Sequence, residues 1–467
     1  VLPPPNNLNK VANSNPEFIS VESDSAYEDS GYIFNVLTND PDGNSVTVSV
    51  SGNPSWTTLS AISGGGISDV TSYWLDDLPK SGDIAIETYI NSPTGIVFDG
   101  DGNQYISGYV KNIIYKVDTN GYISVFAGTG VEGYSGDGDA AISAKLSKPT
   151  GMAFDVNGNL FIAENGNHVI RKIDTNGNIS TFAGTGTAGY SGDGGAATSA
   201  KLKNPYRVVS DSAGNLFIAE NGNHVIRKID TNGNISTFAG TGTAGYSGDD
   251  GAATSAKLNG PTGLAFDSNG NLYISELNGD VIRKVNTNGN ISTFAGTGTG
   301  GYTGDGGAAT SAKIQNPWAV TVDASDNVYF TDSGNSRIRK VDRYGNISTF
   351  AGNGTQGFSG DGGTATSATL NSSEGVRIHN NNLYIADYGN YRVRKVDNVD
   401  GSTSQDALVS SETDVVCSTG WGNAWQSFTT GESGNLSSII VKLVNWAPSG
   451  NTPTDFNLYM SLYSSDG

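Results

Sequence analysis

The stretch PTGMAFDVNGNLFIAENGNHVIRKIDTNGNISTFAG (Pro149–Gly184) contains four short apolar segments separated by three tight turns. The segments are Pro149–Asp155, Leu160–Glu164, Val169–Asp174 and Ile179–Gly184. Asn-Gly steps lie between them, and Asn-Gly is typical of turns that join antiparallel strands. The stretch therefore predicts four short antiparallel strands in sequence.

The same pattern recurs along the chain. Phe182 has counterparts at intervals of 56 residues: Phe126, Phe238, Phe294 and Phe350. Four short strands in a repeat of this size are typical of a propeller blade, which buries its faces against its neighbours. First strands are expected to begin at Pro93, Pro149, Pro205, Pro261, Pro317 and Ser373. We predict an all-β chain: a six-bladed β-propeller of four-stranded antiparallel blades, flanked by β-sandwich-type modules.

A glycine motif follows each fourth strand. FAGTGTAGYSGDGG (Phe182–Gly195) contains G-x-G-x-x-G, which binds a dinucleotide when it opens a long helix. The segment that follows, Ala196–Leu202, allows two helical turns at most, and the motif occurs five times. The glycines therefore belong to the repeat, and we expect them to form turns of a loop insert that leaves the ring before the next blade.

The segments PTGMAFD and GNLFIAENGNHVIRK, with their copies, resemble the NHL-repeat family of propellers over roughly residues 91–398. We place the propeller at residues 82–398. Its last blade lacks an ISTFAG segment, and Gly82–Ile90 has the composition of an orphan fourth strand that would complete blade six. That closure leaves five inserts around six blades. The alternative is a fourth strand from blade six's own continuation, Thr403–Val409.

The flanks differ from the repeat. Residues 1–15 are expected to be a linker, and residues 16–81 resemble a cadherin-like or immunoglobulin-like module. Residues 399–410 are expected to be a second linker, and residues 411–467 resemble the start of a jelly-roll module, many of which bind carbohydrate. We expect the native protein to continue beyond this module. Asp40, Asp42 and Asn44 form either a calcium site, as in the modules they resemble, or an ordinary turn.

Composition excludes several classes of partner. The chain has 46 acidic and 26 basic residues, a net charge of −20, which argues against nucleic acid and anionic membrane. No run of 18 apolar residues is present, so we expect no membrane insertion. One cysteine, Cys417, excludes an internal disulfide framework. Few Cys and Met with many Thr and Asn favour a secreted or surface-displayed bacterial protein.

Two sets of charged residues recur with the repeat. One aspartate stands in each insert, where we expect it to cap a short helix above an aromatic residue: Asp137, Asp193, Asp249, Asp305 and Asp361. An acid ends each second strand, and we expect it to pair with an arginine of the third: Glu164 with Arg171, Glu220 with Arg227, Glu276 with Arg283, Asp332 with Arg339, and Asp387 with Arg394. Blade one departs from this pattern with Gly108 and Tyr115.

Histidine tests the enzyme hypotheses. Propellers similar to streptogramin lyases use histidine, peptidylglycine lyases use zinc, and lactonase-like propellers hold a central calcium. This chain has three histidines: His168 and His224 at equivalent positions, and His379 in a turn at the opposite face. We do not expect them to converge on one metal or substrate. No catalysis and no required cofactor are therefore expected, and Ca²⁺ is the one candidate ion.

Departures from the repeat mark the best candidate site. At the start of the first strands, where most blades have Thr-Gly, the chain has Tyr206, Arg207, Trp318 and Glu374. Aromatic faces stack on sugars or apolar side chains, while Arg and Glu give directional hydrogen bonds. These residues either bind a ligand at an open rim or plug the channel. We expect a carbohydrate-binding or protein-binding adhesion protein at the cell surface; the alternatives are a lyase or lactonase-type propeller enzyme and a self-assembling unit of a surface fibre.

Overall fold

The computed structural model divides the chain into two compact units, one from residue 67 to 410 and one that combines residues 1–66 with 411–467. It describes residues 78–79, 83–85 and 89–399, together with strands at 17–23, 32–39, 46–51, 407–409, 424–428, 439–443 and 457–462. In these parts of the chain no helix has the length and apolar character needed to cross a membrane.

The larger unit is a ring of six four-stranded antiparallel blades, as the repeat predicts. Blades one to three contain Pro93–Phe98, Gln104–Gly108, Ile113–Val117 and Tyr122–Ala127; Pro149–Phe154, Leu160–Glu164, Val169–Ile173 and Ile179–Ala183; and Pro205–Ser210, Leu216–Glu220, Val225–Ile229 and Ile235–Ala239. Blades four to six contain Pro261–Phe266, Leu272–Glu276, Val281–Val285 and Ile291–Ala295; Val320–Val322, Val328–Asp332, Arg337–Val341 and Ile347–Ala351; and Ser373–His379, Asn382–Asp387, Arg392–Val396 and Ala407–Val409.

The core lies between blades. Val97 and Tyr105 of blade one pack in one cluster with Met152, Leu160 and Ile162 of blade two, and the same arrangement recurs around the ring. Alternate residues of each strand face opposite neighbours, since successive side chains of a strand point to opposite faces. No blade can bury its apolar faces alone, so the ring is the folding unit.

Short 3₁₀ helices occur in the inserts and in three of the turns between second and third strands. Those of the inserts are Ala141–Ser143, Ala197–Ser199, Ala253–Ser255, Ala309–Ser311 and Ala365–Ser367. Those of the turns are Asn221–Asn223, Ser333–Asn335 and Tyr388–Asn390.

The inserts are wedges between blades, which corrects the expectation that they leave the ring. In the first, Ala141, Ala144 and Leu146 are buried in the core shared by blades one and two. Ala140 pairs with Asn178 at the outer strand of blade two. Blades diverge away from the axis, and the small apolar residues of each insert fill the groove that this divergence leaves.

The expected closure of the ring is wrong, and its alternative is correct. Ala407–Val409 pairs with the third strand of blade six and completes that blade. Asp83–Ile84 instead pairs with the outer strand of blade one. Ala85 donates its N–H to the Gly121 carbonyl at 2.7 Å, and Ala141, 56 residues later, makes the equivalent bond to Gly177 at 2.9 Å.

The described residues that precede blade one, 78–79, 83–85 and 89–90, therefore take the place of a sixth insert. Leu78 approaches Gly130 as Tyr134 approaches Gly186 one repeat later. Ala85 and Ile90 are buried against blade one, and the N–H of Ile90 bonds to the carbonyl of Tyr391 in blade six. Six inserts, rather than five, fill the six grooves.

In the smaller unit, strands from the two flanks pair with each other. Tyr32–Asn39 lies between Glu17–Ser23 and Ile439–Leu443 in one three-stranded sheet. Val46–Ser51 lies between Ala424–Phe428 and Asn457–Leu462 in the other. The cadherin-like and jelly-roll resemblances of the flanks remain predictions.

Candidate functional site

In each blade, the residue one position after the expected start of the first strand lies at one end of the channel. In blade five this residue, Trp318, precedes the observed strand Val320–Val322. In three blades this residue is a buried threonine bonded within its own blade; the Thr94 hydroxyl, for example, lies 2.9 Å from the Ser107 hydroxyl. In the other three blades it is Tyr206, Trp318 or Glu374. We call these three residues the mouth.

The mouth residues meet across the ring. The Tyr206 hydroxyl of blade three donates to Glu374 Oε2 of blade six at 2.6 Å, although 168 residues separate them. The ring of Trp318 in blade five lies 5.0 Å from that of Tyr206, centroid to centroid, at an angle of 37°. A register shift between Pro205 and Arg207 bends the strand at this point. The residues predicted to share a rim are therefore in contact.

The rim is closed rather than open, which corrects one part of the expectation. Tyr206 and Arg207 are 6% and 7% exposed, so neither presents a free face to bulk water, while Trp318 and Glu374 are half-buried. Burial raises the pKa of Glu374 to about 7, against the opposing effects of Tyr206 and Arg207. Burial, with the Glu374 charge, raises the pKa of Tyr206 well above its usual value. Their ligand-binding role remains a prediction.

Two further residues, which were not predicted as site residues from the sequence, belong to this region. Tyr109 lies near Glu374 and Tyr388, and burial together with these neighbours raises its pKa. Arg377 is on the same strand as Glu374 and influences Arg207 electrostatically. Both positions depart from the repeat, because the equivalents of Tyr109 and Arg377 in blade two are Asn165 and Ala153. That departure was the available signal.

The acid–arginine pairing expected at the end of the second strands is confirmed. Arg171 is fully buried and its Nη1 lies 3.0 Å from Glu164 Oε1; equivalent pairs occur in blades three to six. Glu164 also accepts the N–H of Ser147, at the end of the preceding insert, at 3.0 Å. The pair thus fixes both its own blade and the neighbouring insert.

The insert aspartates do not cap helices, which corrects that expectation. The 3₁₀ helices of the inserts have no side-chain cap. Asp137 instead accepts from Arg171 of the next blade and from the backbone N–H of Thr181 at 3.1 Å. A buried guanidinium attracts a carboxylate more strongly than the few free amides of a one-turn helix do.

The insert aromatics form a repeated surface. Each ring lies about the same distance from an arginine, 5.3 Å for Tyr134 and Arg171, and each of the four tyrosine hydroxyls bonds to a threonine hydroxyl. The rings are 38–44% exposed. We call this set the aromatic belt: Tyr134, Tyr190, Tyr246, Tyr302 and Phe358.

Blade one replaces the charged network with apolar packing. A Cβ at Gly108 would lie 2.6 Å from Tyr115 Cε2, so Tyr115 fills the space of the missing acid. Burial raises the pKa of Tyr115 to about 12, while the backbone of Asn91 hydrogen-bonds to its hydroxyl. Asn91 is equivalent to Ser147, and Leu78 packs beside this cluster where other inserts have their aromatic residue.

Each of the three histidines has a neighbouring residue as its partner. His168 Nδ1 accepts the N–H of Asn204 at 3.2 Å, and His224 Nδ1 accepts that of Gly260 at 3.1 Å. His379 stacks on Phe98 at 4.0 Å. Among the residues whose side chains are described, no three His, Cys, Asp or Glu residues are placed to hold a metal ion. Asp40, Asp42, Asn44 and Cys417 lie outside the described residues.

This geometry defines a six-bladed β-propeller with a closed mouth and wedge-like inserts. Residues 129–191, 241–300 and 298–357 match the model of the Teneurin NHL domain, so these parts of the propeller are similar to NHL repeats. The chain is 30% identical to Teneurin-1 of Gallus gallus over 264 residues, which cover 50% of this chain and 10% of that protein. It is 28% identical to NHL repeat-containing protein 2 of Bos taurus over 381 residues, which cover 72% and 52%.

The fold also matches that of a solved structure, an auxiliary nutrient binding protein from Bacteroides thetaiotaomicron. The TM-score is 0.51 at 16% identity, and the match covers 73% of this chain and 76% of that one. At this identity the likeness concerns the fold alone. The chain corresponds to a tenth of Teneurin-1 and about half of NHL repeat-containing protein 2.

Proposed function

We propose that the chain is a secreted or cell-surface binding protein that uses its propeller to hold a carbohydrate or protein ligand, without catalysis. The aromatic belt and the exposed parts of Trp318 and Glu374 are the contact surfaces. The net charge of −20 and the lack of long apolar segments are compatible with an extracellular setting and a ligand other than nucleic acid.

The aromatic belt is the observation that carries this proposal. Its tyrosines are held at the hydroxyl by threonine and at one face by arginine, so little rotamer freedom remains to be lost on binding. Half-exposed aromatic faces stack on sugar rings and on apolar side chains. Five copies around one ring suit a ligand with repeated units, because linked contacts add avidity.

A glycan array probed with the full chain, with calcium and with chelator, tests the proposal. A saccharide ligand should lose affinity in Tyr190→Ala, in Tyr246→Ala and in Trp318→Ala. Tyr344→Ala is the matched control, because Tyr344 is 74% exposed and lies outside the belt.

A blank array from a folded chain would exclude a carbohydrate ligand and leave a protein ligand to be sought by cross-linking. Equal loss of affinity in the Tyr344 control would show that the belt is not the binding surface.

A further inference from the structure

Two arginines of the inner strands have no ion-paired carboxylate among the described residues, although Glu374 and Arg207 influence each other's pKa at longer range. Arg207 of blade three is 7% exposed, and its Nη2 is buried without a hydrogen-bond partner. Among the described residues, no carboxylate forms an ion pair with Arg207 or with Arg377 of blade six. A guanidinium as buried as that of Arg207 is costly without a partner, and the five fully buried arginines of the described blades are each paired with an acid.

The repeat does not require either residue. The equivalents of Arg207 are glycine in four blades and alanine in one. The equivalents of Arg377 are all small or aliphatic: Val97, Ala153, Val209, Ala265 and Thr321. Gly151 leaves the room that Arg207 uses, because a Cβ there would lie 2.7 Å from the Arg207 Cδ. Both guanidiniums are thus additions to a framework that folds without them.

The two charges face the same space. The bond between Tyr206 and Glu374 joins two inner strands across the ring; Arg207 follows Tyr206 on one of them, and Arg377 lies three residues after Glu374 on the other. Burial lowers the pKa of each arginine; for Arg207, Tyr206 and Glu374 oppose this shift and Arg377 adds to it. Arg377 is nevertheless exposed to water. Arg377 is thus the member of the pair that solvent reaches, and it lies toward the end of Ser373–His379 that is away from the mouth.

We propose that the channel binds a small oxyanion between Arg207 and Arg377, entering from the face opposite the mouth. The ligand is a carboxylate, phosphate or sulfate group, whose oxygens match the planar donors of guanidinium. It supplies the acceptor that Arg207 Nη2 lacks. This site is separate from the aromatic belt and does not depend on the ligand of the belt.

Thermal unfolding of the full chain in rising phosphate, sulfate or acetate, at constant ionic strength and pH, tests the site. Binding to the folded state raises the melting temperature saturably. Calorimetric titration with the same three anions gives the affinities and shows which oxyanion is preferred. Arg207→Gly and Arg377→Val, which restore the residues of other blades, should each weaken binding by roughly tenfold or more.

Arg343→Ala is the control, because Arg343 is exposed and its substitution removes one positive charge away from the proposed site. Without added oxyanion, Arg207→Gly should melt no lower than the parent chain, since it removes a buried unpaired charge. The proposal is wrong if the parent chain shows no saturable response to any of the three anions. It is also wrong if both variants keep that response or if the Arg343 control loses it equally.

Discussion

At the start of the second strand, five blades bury an aliphatic side chain and blade one buries Gln104. The aliphatic residues are Leu160, Leu216, Leu272, Val328 and Leu383. Gln104 is 1% exposed, and neither its Oε1 nor its Nε2 has a hydrogen-bond partner. An unsatisfied buried amide lowers stability, because the group loses its bonds to water without replacement.

Gln104→Leu should therefore stabilise the propeller by about 1–3 kcal/mol. Leucine has nearly the same volume and is the residue that four other blades use here. Urea unfolding monitored by tryptophan fluorescence measures the change. Leu160→Gln, the reverse exchange in blade two, is the matched control and should destabilise. Equal midpoints for Gln104→Leu and the parent chain would show that Gln104 has a partner.

Glu374 gives the mouth a dependence on pH. Burial raises its pKa from 4.5 to about 7, so the folded state holds this proton more tightly than the unfolded state does. Its contribution to stability is complete below pH 4.5 and is lost as the pH rises through about 7. Glu374→Gln keeps an acceptor for the Tyr206 hydroxyl and cannot titrate.

The parent chain should therefore lose stability relative to Glu374→Gln between about pH 4.5 and pH 7 and no further above it. The difference between the two unfolding free energies removes the effect of the other carboxylates. Parallel curves across this range would show that Glu374 ionises normally in the folded state.

At the scale of the blade, the acid–arginine pair of the second and third strands and the Gly108–Tyr115 pair of blade one occupy equivalent positions. Blade three has Glu220 and Arg227 where blade one has Gly108 and Tyr115. The acid and the large ring exclude each other, as the 2.6 Å approach of a Gly108 Cβ to the Tyr115 ring indicates. Glutamate fits with arginine and glycine fits with tyrosine at these two positions, but glutamate does not fit with tyrosine.

Arg227→Tyr alone should destabilise by about 3–5 kcal/mol, because it leaves Glu220 buried without its guanidinium and too close to a ring. Adding Glu220→Gly should recover much of that loss. A double-mutant cycle by urea unfolding measures the coupling. Additive effects of the two substitutions would contradict this account.

The sequence predicted elements well where the repeat holds. Strand positions and the acid–arginine pairs follow from the alternation and from the 56-residue period. Besides the closure of blade six, the sequence did not predict the first strand of blade five, which is shortened to Val320–Val322. Just before this strand, Thr331 Oγ1 accepts the N–H groups of Trp318 and Ala319. A side-chain acceptor that replaces a ladder bond has no signature in hydropathy.

For the site, departures from the repeat located Tyr206, Trp318 and Glu374, but they did not show that the residues touch. Contact across the axis depends on how far each strand bends inward, and bulges are not readable from composition. Arg377 lies in the middle of its strand, where the repeat gives no reason to expect a charge. Its contrast with five small or aliphatic equivalents was visible in the alignment of the repeats.

At the scale of the whole molecule, the ring is closed by two segments that precede and follow it. Asp83–Ile84 pairs with the outer strand of blade one, and Ala407–Val409 completes blade six. The alignment of this segment with the inserts was visible in the sequence, since Ala85 and Ile90 lie 56 residues before Ala141 and Leu146. It was obscured because the insert's tyrosine and aspartate are replaced by Leu78 and Ser81.

This closure predicts different behaviour for two shortened chains, one that starts at Leu78 and one that starts at Asn91. The second loses the buried Ala85 and Ile90 and the half-buried Leu78, and a fully buried isoleucine alone is worth about 1.5–3 kcal/mol. Its propeller should melt several degrees lower. It also exposes the outer edge of blade one, and such an edge pairs with other chains.

Calorimetry measures the melting temperatures, and light scattering measures the mass of each chain. A peptide of residues 78–90 added to the shorter chain should restore both the melting temperature and the monomer, because the groove it fills is preformed by blades six and one. A peptide of the same composition in scrambled order is the control. Identical melting of the two chains would mean that blade one is stable without its insert, and that the six grooves are not equivalent.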